Sequence, residues 1–208
     1  MSEIQRVTVI GSGTMGHGIA QVAAMAGWRV TLNDVSDELI SRGIDQIKSN
    51  LDAGVERGKV EADLRDATLA RLRGDADLAA AARDADLVVE AIPEKLDLKR
   101  QIFAILSQHA RADALLATNT SSLSVTRIAE GCQAPERVCG MHFFNPVHIL
   151  TLCEVIRAEA TSDDTLDRAT AAARAMGKTP IVVTDSPGFA SSRLGVALGL
   201  EAMRMVEE

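Results

Sequence analysis

The chain has 208 residues, 47% of them hydrophobic and 25% charged, with a formal net charge of −7. That length and composition fit a globular protein with one good-sized core and room for a small extra element. The acidic balance argues against general nucleic-acid binding, which needs a basic surface, and 2% aromatics without Tyr argue against a base-stacking platform.

Val7 to Ile10 is an apolar, β-branched run that reads as a strand covered on both faces. It opens directly into Gly11-Ser12-Gly13-Thr14-Met15-Gly16, the G-x-G-x-x-G spacing of a dinucleotide-binding turn. Gly11 allows the tight turn, Gly13 leaves room for a pyrophosphate, and Gly16 lets the next helix pack on the strand. That helix buries Ile19, Val22, Ala23 and Ala26 and stops at Gly27. A second strand, Arg29 to Asn33, ends at Asp34, where a carboxylate is expected to accept hydrogen bonds from an adenosine ribose. A carboxylate there repels a 2′-phosphate, and neither Val35 nor Ser36 supplies an Arg to receive one. The expected cofactor is therefore NAD rather than NADP.

Ser36 caps a helix whose buried positions are Ile40, Ile44, Ile47 and Leu51. The polar stretch to Glu61 reads as an exposed hairpin, followed by a second helical piece from Ala62 to Leu72. Leu87 to Ala91 is a strand stopped by Pro93. A helix from Lys95 to His109 is expected to bury Leu98, Ile102, Ile105 and Leu106. Ala114 to Thr118 and Arg137 to Phe143 are further strands. After Asn145-Pro146 come a strand over Leu150 to Ile156, a helix capped by Ser162 and closed by Gly177, and a short strand at Ile181 to Val183. The fold class is α/β, a Rossmann-like, doubly wound and mostly parallel sheet. The tail from Phe189 to Val206 is helical, with Leu194, Leu198, Met203 and Met205 spread around it. It expects burial against more protein than the chain supplies. The reading is a nucleotide-binding domain over residues 1–186 and the first helix of a helical domain over 187–208.

Cys132, Cys139 and Cys153 are odd in number and lack metal-ligand spacing. They read as reduced, buried thiols of a cytoplasmic protein, with no metal site. No charged leader followed by an apolar core opens the chain, and no run is long enough to cross a bilayer, so no membrane partner is expected.

Ligands of such sheets bind beyond the carboxyl ends of the strands. Thr118 to Ser122 and His142 fall there, and Glu154 lies on the strand after the Asn145-Pro146 turn. A His and a Glu on elements joined by one turn can meet as a base and its orienting carboxylate. His17 and His109 lie on helix patterns without a partner. Gly177-Lys178-Thr179 lacks the first glycine of a P-loop, and a helix rather than a strand precedes it. Glu90 reads as a polar residue on the cofactor side or as a capped strand end.

Five blocks, GSGTMGHGIA at Gly11 to Ala20, VEAIPEK at Val89 to Lys95, TNTSSL at Thr118 to Leu123, HFFNPV at His142 to Val147 and DSPGF at Asp185 to Phe189, occur in this order in one family. The chain resembles the NAD-binding domain of the L-3-hydroxyacyl-CoA dehydrogenases, and in particular the bacterial 3-hydroxybutyryl-CoA enzymes. The resemblance implies reversible oxidation of (3S)-3-hydroxyacyl-CoA to 3-oxoacyl-CoA with NAD. It also implies a second, helical domain that helps bind the acyl-CoA and forms a homodimer.

Carried over by that resemblance, the base falls on His142, its carboxylate on Glu154, and the serine that holds the substrate oxygen on Ser121. Cofactor contacts fall on Gly11, Gly13, Thr14, Met15 and Gly16 of the loop and on Asp34, Glu94, Lys99 and Asn119. Asn145 supports the substrate site. The family asparagine after the Gly-Phe pair is replaced here by Ser192, which offers fewer donors. Lys48, Arg57 and Lys59 are candidates for the CoA phosphates, or else a solvated helix face. Two other readings remain: a dehydrogenase of a free 3-hydroxy acid or sugar acid, which relies on a lysine in a later helix, and a non-catalytic crystallin-like relative.

Overall fold

A computed structural model describes residues 4–208; Met1, Ser2 and Glu3, at the start of the expected first domain, lie outside the described residues. Among the described residues, eight strands and eight α-helices follow one another, mostly in alternation. The strands are β1 (Arg6–Ile10), β2 (Arg29–Asn33), β3 (Leu72–Gly74), β4 (Leu87–Glu90), β5 (Leu115–Thr118), β6 (Val138–Phe143), β7 (Leu152–Arg157) and β8 (Thr179–Thr184). The helices are α1 (Gly16–Met25), α2 (Asp37–Glu56), α3 (Ala62–Leu69), α4 (Leu78–Ala82), α5 (Leu96–His109), α6 (Val125–Ala129), α7 (Asp163–Ala175) and α8 (Ser191–Glu207). They form one sheet in the order β3-β2-β1-β4-β5-β6-β7-β8. Every pair is parallel except β6 with β7.

Helices cover both faces of the sheet, and each face has its own core. Val7, Val9, Val30 and Leu32 pack against Ile19, Val22 and Ile47 on one side. Val88, Leu116 and Val138 pack against Phe103, Leu106 and Ile128 on the other. The strand order reverses between β1 and β4, which opens a crevice at their carboxyl ends. Caps mark the helix starts that the sequence announced. The Ser36 hydroxyl accepts the Leu39 N–H at 3.3 Å, and the Ser162 hydroxyl accepts that of Thr165 at 3.2 Å.

Two expectations change, for the helix after Glu61 and for the buried face of α5, and two features go beyond the sequence reading. The helix after Glu61 ends at Leu69, and Leu72–Gly74 is instead an edge strand on β2. Two of those three residues are Arg and Gly, so only the ladder makes them a strand. Helix α6, unread in the sequence, supplies the crossover that a parallel β5–β6 pair requires. Between β6 and β7 only a short turn intervenes, so that pair is antiparallel. On α5 the buried face runs through Lys99, Phe103 and Leu106, while Ile105 is 38% exposed. A lysine turned inward rotates the helix away from the stripe its aliphatic residues suggest. Helix α8 buries none of its residues among those described.

Candidate active site

The glycine loop forms the floor of the crevice. Gly11 has φ 92°, which β-carbon-bearing residues rarely adopt. A Cβ on Gly16 would lie 1.6 Å from the Gly11 carbonyl oxygen, so α1 can leave the loop only with glycine there. Nothing lies within 4 Å of where a Gly13 Cβ would be, so the space above the loop is open. The N–H groups of Gly13, Thr14 and Met15 meet no protein acceptor among the described residues. Together with the start of α1 they form a set of donors suited to a pyrophosphate. These features fit a dinucleotide.

Asp34, at the end of β2, braces the same loop. One carboxylate oxygen accepts the Ser12 N–H at 2.8 Å and the Ser12 hydroxyl at 2.7 Å; the other accepts the Val35 N–H at 2.7 Å. It lines a cleft of about 280 Å³ with Gly13, Thr14, His17 and Arg42. His17, set aside on sequence, therefore stands at this cleft, with its Nδ1 2.7 Å from the Gly13 carbonyl oxygen. Arg42 was unread because it lies on the next helix, eight residues beyond Asp34; there it pairs with Glu38.

Across the crevice, Glu90 ends β4 fully buried. It receives the Lys99 ammonium at 2.7 Å, the Thr118 hydroxyl at 2.8 Å and the Ile92 N–H at 2.8 Å. Lys99 is 1% exposed and also approaches Glu94 at 3.4 Å. It stands behind the cleft, where it holds two carboxylates, rather than at the surface a cofactor would touch. Glu94 gathers the loop after β5, accepting the Thr120 hydroxyl at 2.5 Å and the Ser121 N–H at 3.0 Å. Burial raises the pKa of Glu94, but the Thr120 hydrogen bond and the Lys99 charge outweigh it and hold that pKa below the usual 4.5. Asn119 accepts the Phe143 N–H at 2.9 Å through Oδ1, which braces its amide on β6. Ser121 is exposed at the carboxyl end of β5.

His142 and Glu154 face each other across the antiparallel β6–β7 ladder. His142 Nδ1 lies 2.7 Å from Glu154 Oε2, with the residues 5% and 0% exposed. Nε2 meets no protein partner among the described residues. Phe144 and Phe189 pack on the imidazole at centroid distances of 4.5 and 5.9 Å. The other face of the Glu154 carboxylate is held by the start of α8. The N–H groups of Ala190 and Ser191 donate to Oε1 at 3.1 and 2.8 Å, and the Ser191 hydroxyl donates to Oε2 at 3.1 Å. Burial raises the pKa of Glu154, but the bonds from His142 and Ser191 more than offset this and keep it below 4.5. Phe189, at φ 48°, turns the chain into α8. That left-handed conformation costs about 1–2 kcal/mol for a residue with a Cβ, and the turn it makes aims the helix donors at Glu154.

Ser191 and Ala190 were missed on sequence because their role depends on where α8 starts relative to β7. Ser192, which stands at the family asparagine position, has no side-chain partner among the described residues. Asn145 is exposed beside the cis Asn145-Pro146 bond. Val147, two residues on, is buried against α1, where a Cβ on Gly18 would lie 2.9 Å from its own. Lys178 clamps this turn through the Val147 carbonyl and, at 3.0 Å, the Leu150 carbonyl. Burial pushes its pKa down. Lys48 shares an open groove on α2 with Asp45, Asp52 and Glu56, and Arg57 and Lys59 are exposed on the hairpin. Cys132, Cys139 and Cys153 are buried free thiols; burial drives the Cys153 pKa up to about 12 and that of Cys139 higher still.

Residues 6–186 match the family described as 3-hydroxyacyl-CoA dehydrogenase, NAD binding domain. The chain belongs to the 3-hydroxyacyl-CoA dehydrogenase family. It is 43% identical over 208 residues to the 3-hydroxyadipyl-CoA dehydrogenase of Escherichia coli K12, covering all of this chain and 44% of that protein. It is 40% identical over 211 residues to a probable 3-hydroxyacyl-CoA dehydrogenase of Caenorhabditis elegans, covering 71% of it. The crystal structure of FadB2 from M. tuberculosis superposes with a TM-score of 0.93 at 40% identity, over 99% of this chain and 73% of that one. That of 3-hydroxybutyryl-CoA dehydrogenase from E. coli K12 gives 0.87 at 44% identity, over 90% of this chain and 39% of that one. The chain thus spans less than half of the E. coli relative and about seven-tenths of the nematode one. Among the described residues no group of His, Cys, Asp and Glu is arranged to hold a metal ion, and no helix is long and apolar enough to cross a membrane.

Proposed function

We propose that this chain is the cofactor-binding and proton-abstracting part of an enzyme that oxidises (3S)-3-hydroxyacyl-CoA to 3-oxoacyl-CoA with NAD. Bound NAD+ would supply the acceptor for the hydride at C3 of the substrate. His142 takes the hydroxyl proton at Nε2, the nitrogen left without a protein partner. Glu154 holds Nδ1–H, which fixes the tautomer and stabilises the imidazolium. The Ser121 hydroxyl donates to the substrate oxygen, and Asn119, braced on β6, orients the nicotinamide end. Asn145 and Ser192 flank the acyl group.

Asp34 takes the adenosine ribose, Gly11 to Gly16 take the pyrophosphate, and Glu94, held by Lys99, meets the nicotinamide ribose. Residues 187–208 start a helical unit that completes the acyl-CoA site and a homodimer of a cytoplasmic enzyme. The family match ends at residue 186, and the apolar side chains of α8 lie exposed, which supports that division.

The observation that carries this reading is the buried 2.7 Å pair of His142 and Glu154 near the carboxyl end of β6. The free hydroxy-acid reading needs a lysine free to act at the site, whereas the Lys178 ammonium is engaged by the main-chain carbonyls of Val147 and Leu150. The deciding experiment compares reduction of acetoacetyl-CoA and of free acetoacetate by the full-length protein with NADH. Turnover confined to the thioester is expected; turnover confined to the free acid, or none with either, would overturn the reading.

Two smaller effects follow. Asp34→Ala is expected to weaken NAD about tenfold, the size of one charge-assisted hydrogen bond. It should also narrow the preference over NADP, because Arg42 then faces the cleft without the carboxylate. Fluorescence titration with both cofactors measures this. Ser191→Ala removes one hydroxyl from Glu154 but leaves both N–H donors, so kcat is expected to fall only about fivefold, from the loss of about 1 kcal/mol. Steady-state rates at saturating substrate check it.

A further inference from the structure

Across β1, β2 and the residue before β3, three arginines stand level. Arg6 pairs with Arg29 in the β1–β2 ladder; Val30 pairs with Leu72, which sets Arg29 beside Arg71. Two residues along, Thr8, Thr31 and Arg73 form the next row. Residues two apart on a strand share a face, so Arg6, Arg29 and the second row line the sheet face opposite Val7, Val9, Val30 and Leu32, whereas Arg71, just before β3, reaches round to α1. Parallel neighbours are about 4.8 Å apart, and like charges set side by side at that spacing repel.

No carboxylate among the described residues lies within 4.0 Å of the guanidinium of Arg6, Arg29, Arg71 or Arg73. Arg73 Nε donates to the Thr31 hydroxyl at 2.9 Å, which orients its fork, and Arg71 reaches the Ala24 carbonyl at 3.3 Å. The Arg6 and Arg29 guanidinium groups make no side-chain hydrogen bond among the described residues. Such a row is unusual on a protein whose net charge is −7, where carboxylates are plentiful.

The rows line a real cavity. Helix α4 has only five residues and covers the sheet incompletely, leaving a cleft of about 560 Å³ with Thr8 and Thr31 buried at its base. That volume lies within the roughly 300–1,000 Å³ of small-molecule sites. Among the described residues, Asp84 is the one acidic residue on its lining. The cleft sits at the amino ends of the strands, whereas the glycine loop follows the carboxyl end of β1, about 16 Å away along five residues of strand.

We propose that this cleft is a second anion site, which takes a multiply charged phosphate group through the forks of Arg6, Arg29 and Arg73 while NAD occupies its own crevice. Guanidinium groups suit phosphate because their paired N–H donors match two of its oxygens. The ligand is a free di- or polyphosphate anion or the phosphate end of a nucleotide, and the two share this chemistry.

The test is calorimetric titration of inorganic pyrophosphate into the full-length protein saturated with NAD, at constant ionic strength, with ADP as a second probe. One equivalent is expected to bind. Arg29→Gln together with Arg73→Gln should weaken it at least about tenfold and leave NAD affinity unchanged. Tighter binding of ADP than of pyrophosphate identifies a nucleotide as the source; equal or weaker binding identifies the free anion. Because the substitutions relieve repulsion at exposed positions, the variant should melt no lower than the parent without anion. Absence of pyrophosphate binding under NAD saturation, or equal affinity in the variant, would overturn the proposal.

Discussion

Replacing His142 by Gln is expected to lower kcat for 3-hydroxyacyl-CoA oxidation by about 10²- to 10⁴-fold, the usual contribution of a positioned general base. Gln is of comparable size and polar, so β6 and its ladder to β7 keep their register. The cofactor crevice lies on the β1 side and is braced by Asp34 and Ser12, so NAD affinity should be unchanged. The comparison is therefore between a rate and a binding constant measured on the same variant. If turnover persists within a few-fold of the parent, His142 is not the proton acceptor, and the buried pair has only a structural role.

The second large effect is at Glu154. In Glu154→Gln the amide can keep its oxygen toward the Ala190 and Ser191 N–H groups, which turns its NH2 toward His142 Nδ1. An N–H donor there selects the imidazole tautomer with Nδ1 bare and Nε2 protonated, which cannot accept the substrate proton. A loss in kcat of about 10³- to 10⁴-fold is expected, the size seen when the carboxylate of a His–Asp pair becomes an amide. Stability should fall by about 1–2 kcal/mol as well, since the start of α8 loses the negative charge that it faces.

The pH dependence of that stability has a definite sign. The Glu154 pKa in the folded protein lies below its usual 4.5, so the carboxylate stabilises the fold fully at pH values above 4.5. Its contribution is lost as pH falls through the lower folded value. Thermal unfolding from pH 7 down to pH 3 should show the parent losing its advantage over Glu154→Gln only below about pH 4.5. A constant gap across that range would mean that the charge does not stabilise the α8 start.

Much of this fold is written locally. The β1 run, the glycine loop and the α1 stripe follow one another within about twenty residues, so strand, turn and helix each carry their own periodicity or backbone demand. Ser36 and Ser162 announce their helices for the same reason, since a cap acts on an N–H three residues away. Strand β3 was not legible: Leu72-Arg73-Gly74 has no pattern of its own and becomes a strand only because β2 offers it a ladder. The rotation of α5 was equally hidden. Lys99 turns inward because Glu90, at the end of β4, waits there as a buried carboxylate, and no count of aliphatic spacing contains that partner.

For the site, the sequence by itself determined which groups exist and roughly where along the strands they fall. The glycine spacing fixed the loop geometry, Asp34 fell at the end of β2, and His142 and Glu154 were set on two elements joined by one turn. Tertiary structure decided which groups meet. The antiparallel β6–β7 register put His142 opposite Glu154, and the turn through Phe189 aimed the first donors of α8 at the same carboxylate. It also withdrew Lys99 into the protein and left Arg6, Arg29 and Arg73 in two adjacent rows on one face of a half-covered sheet. The division has one physical reason: backbone demands and caps act over three or four residues and are readable in order, whereas pairing and burial are set by neighbours distant in the chain.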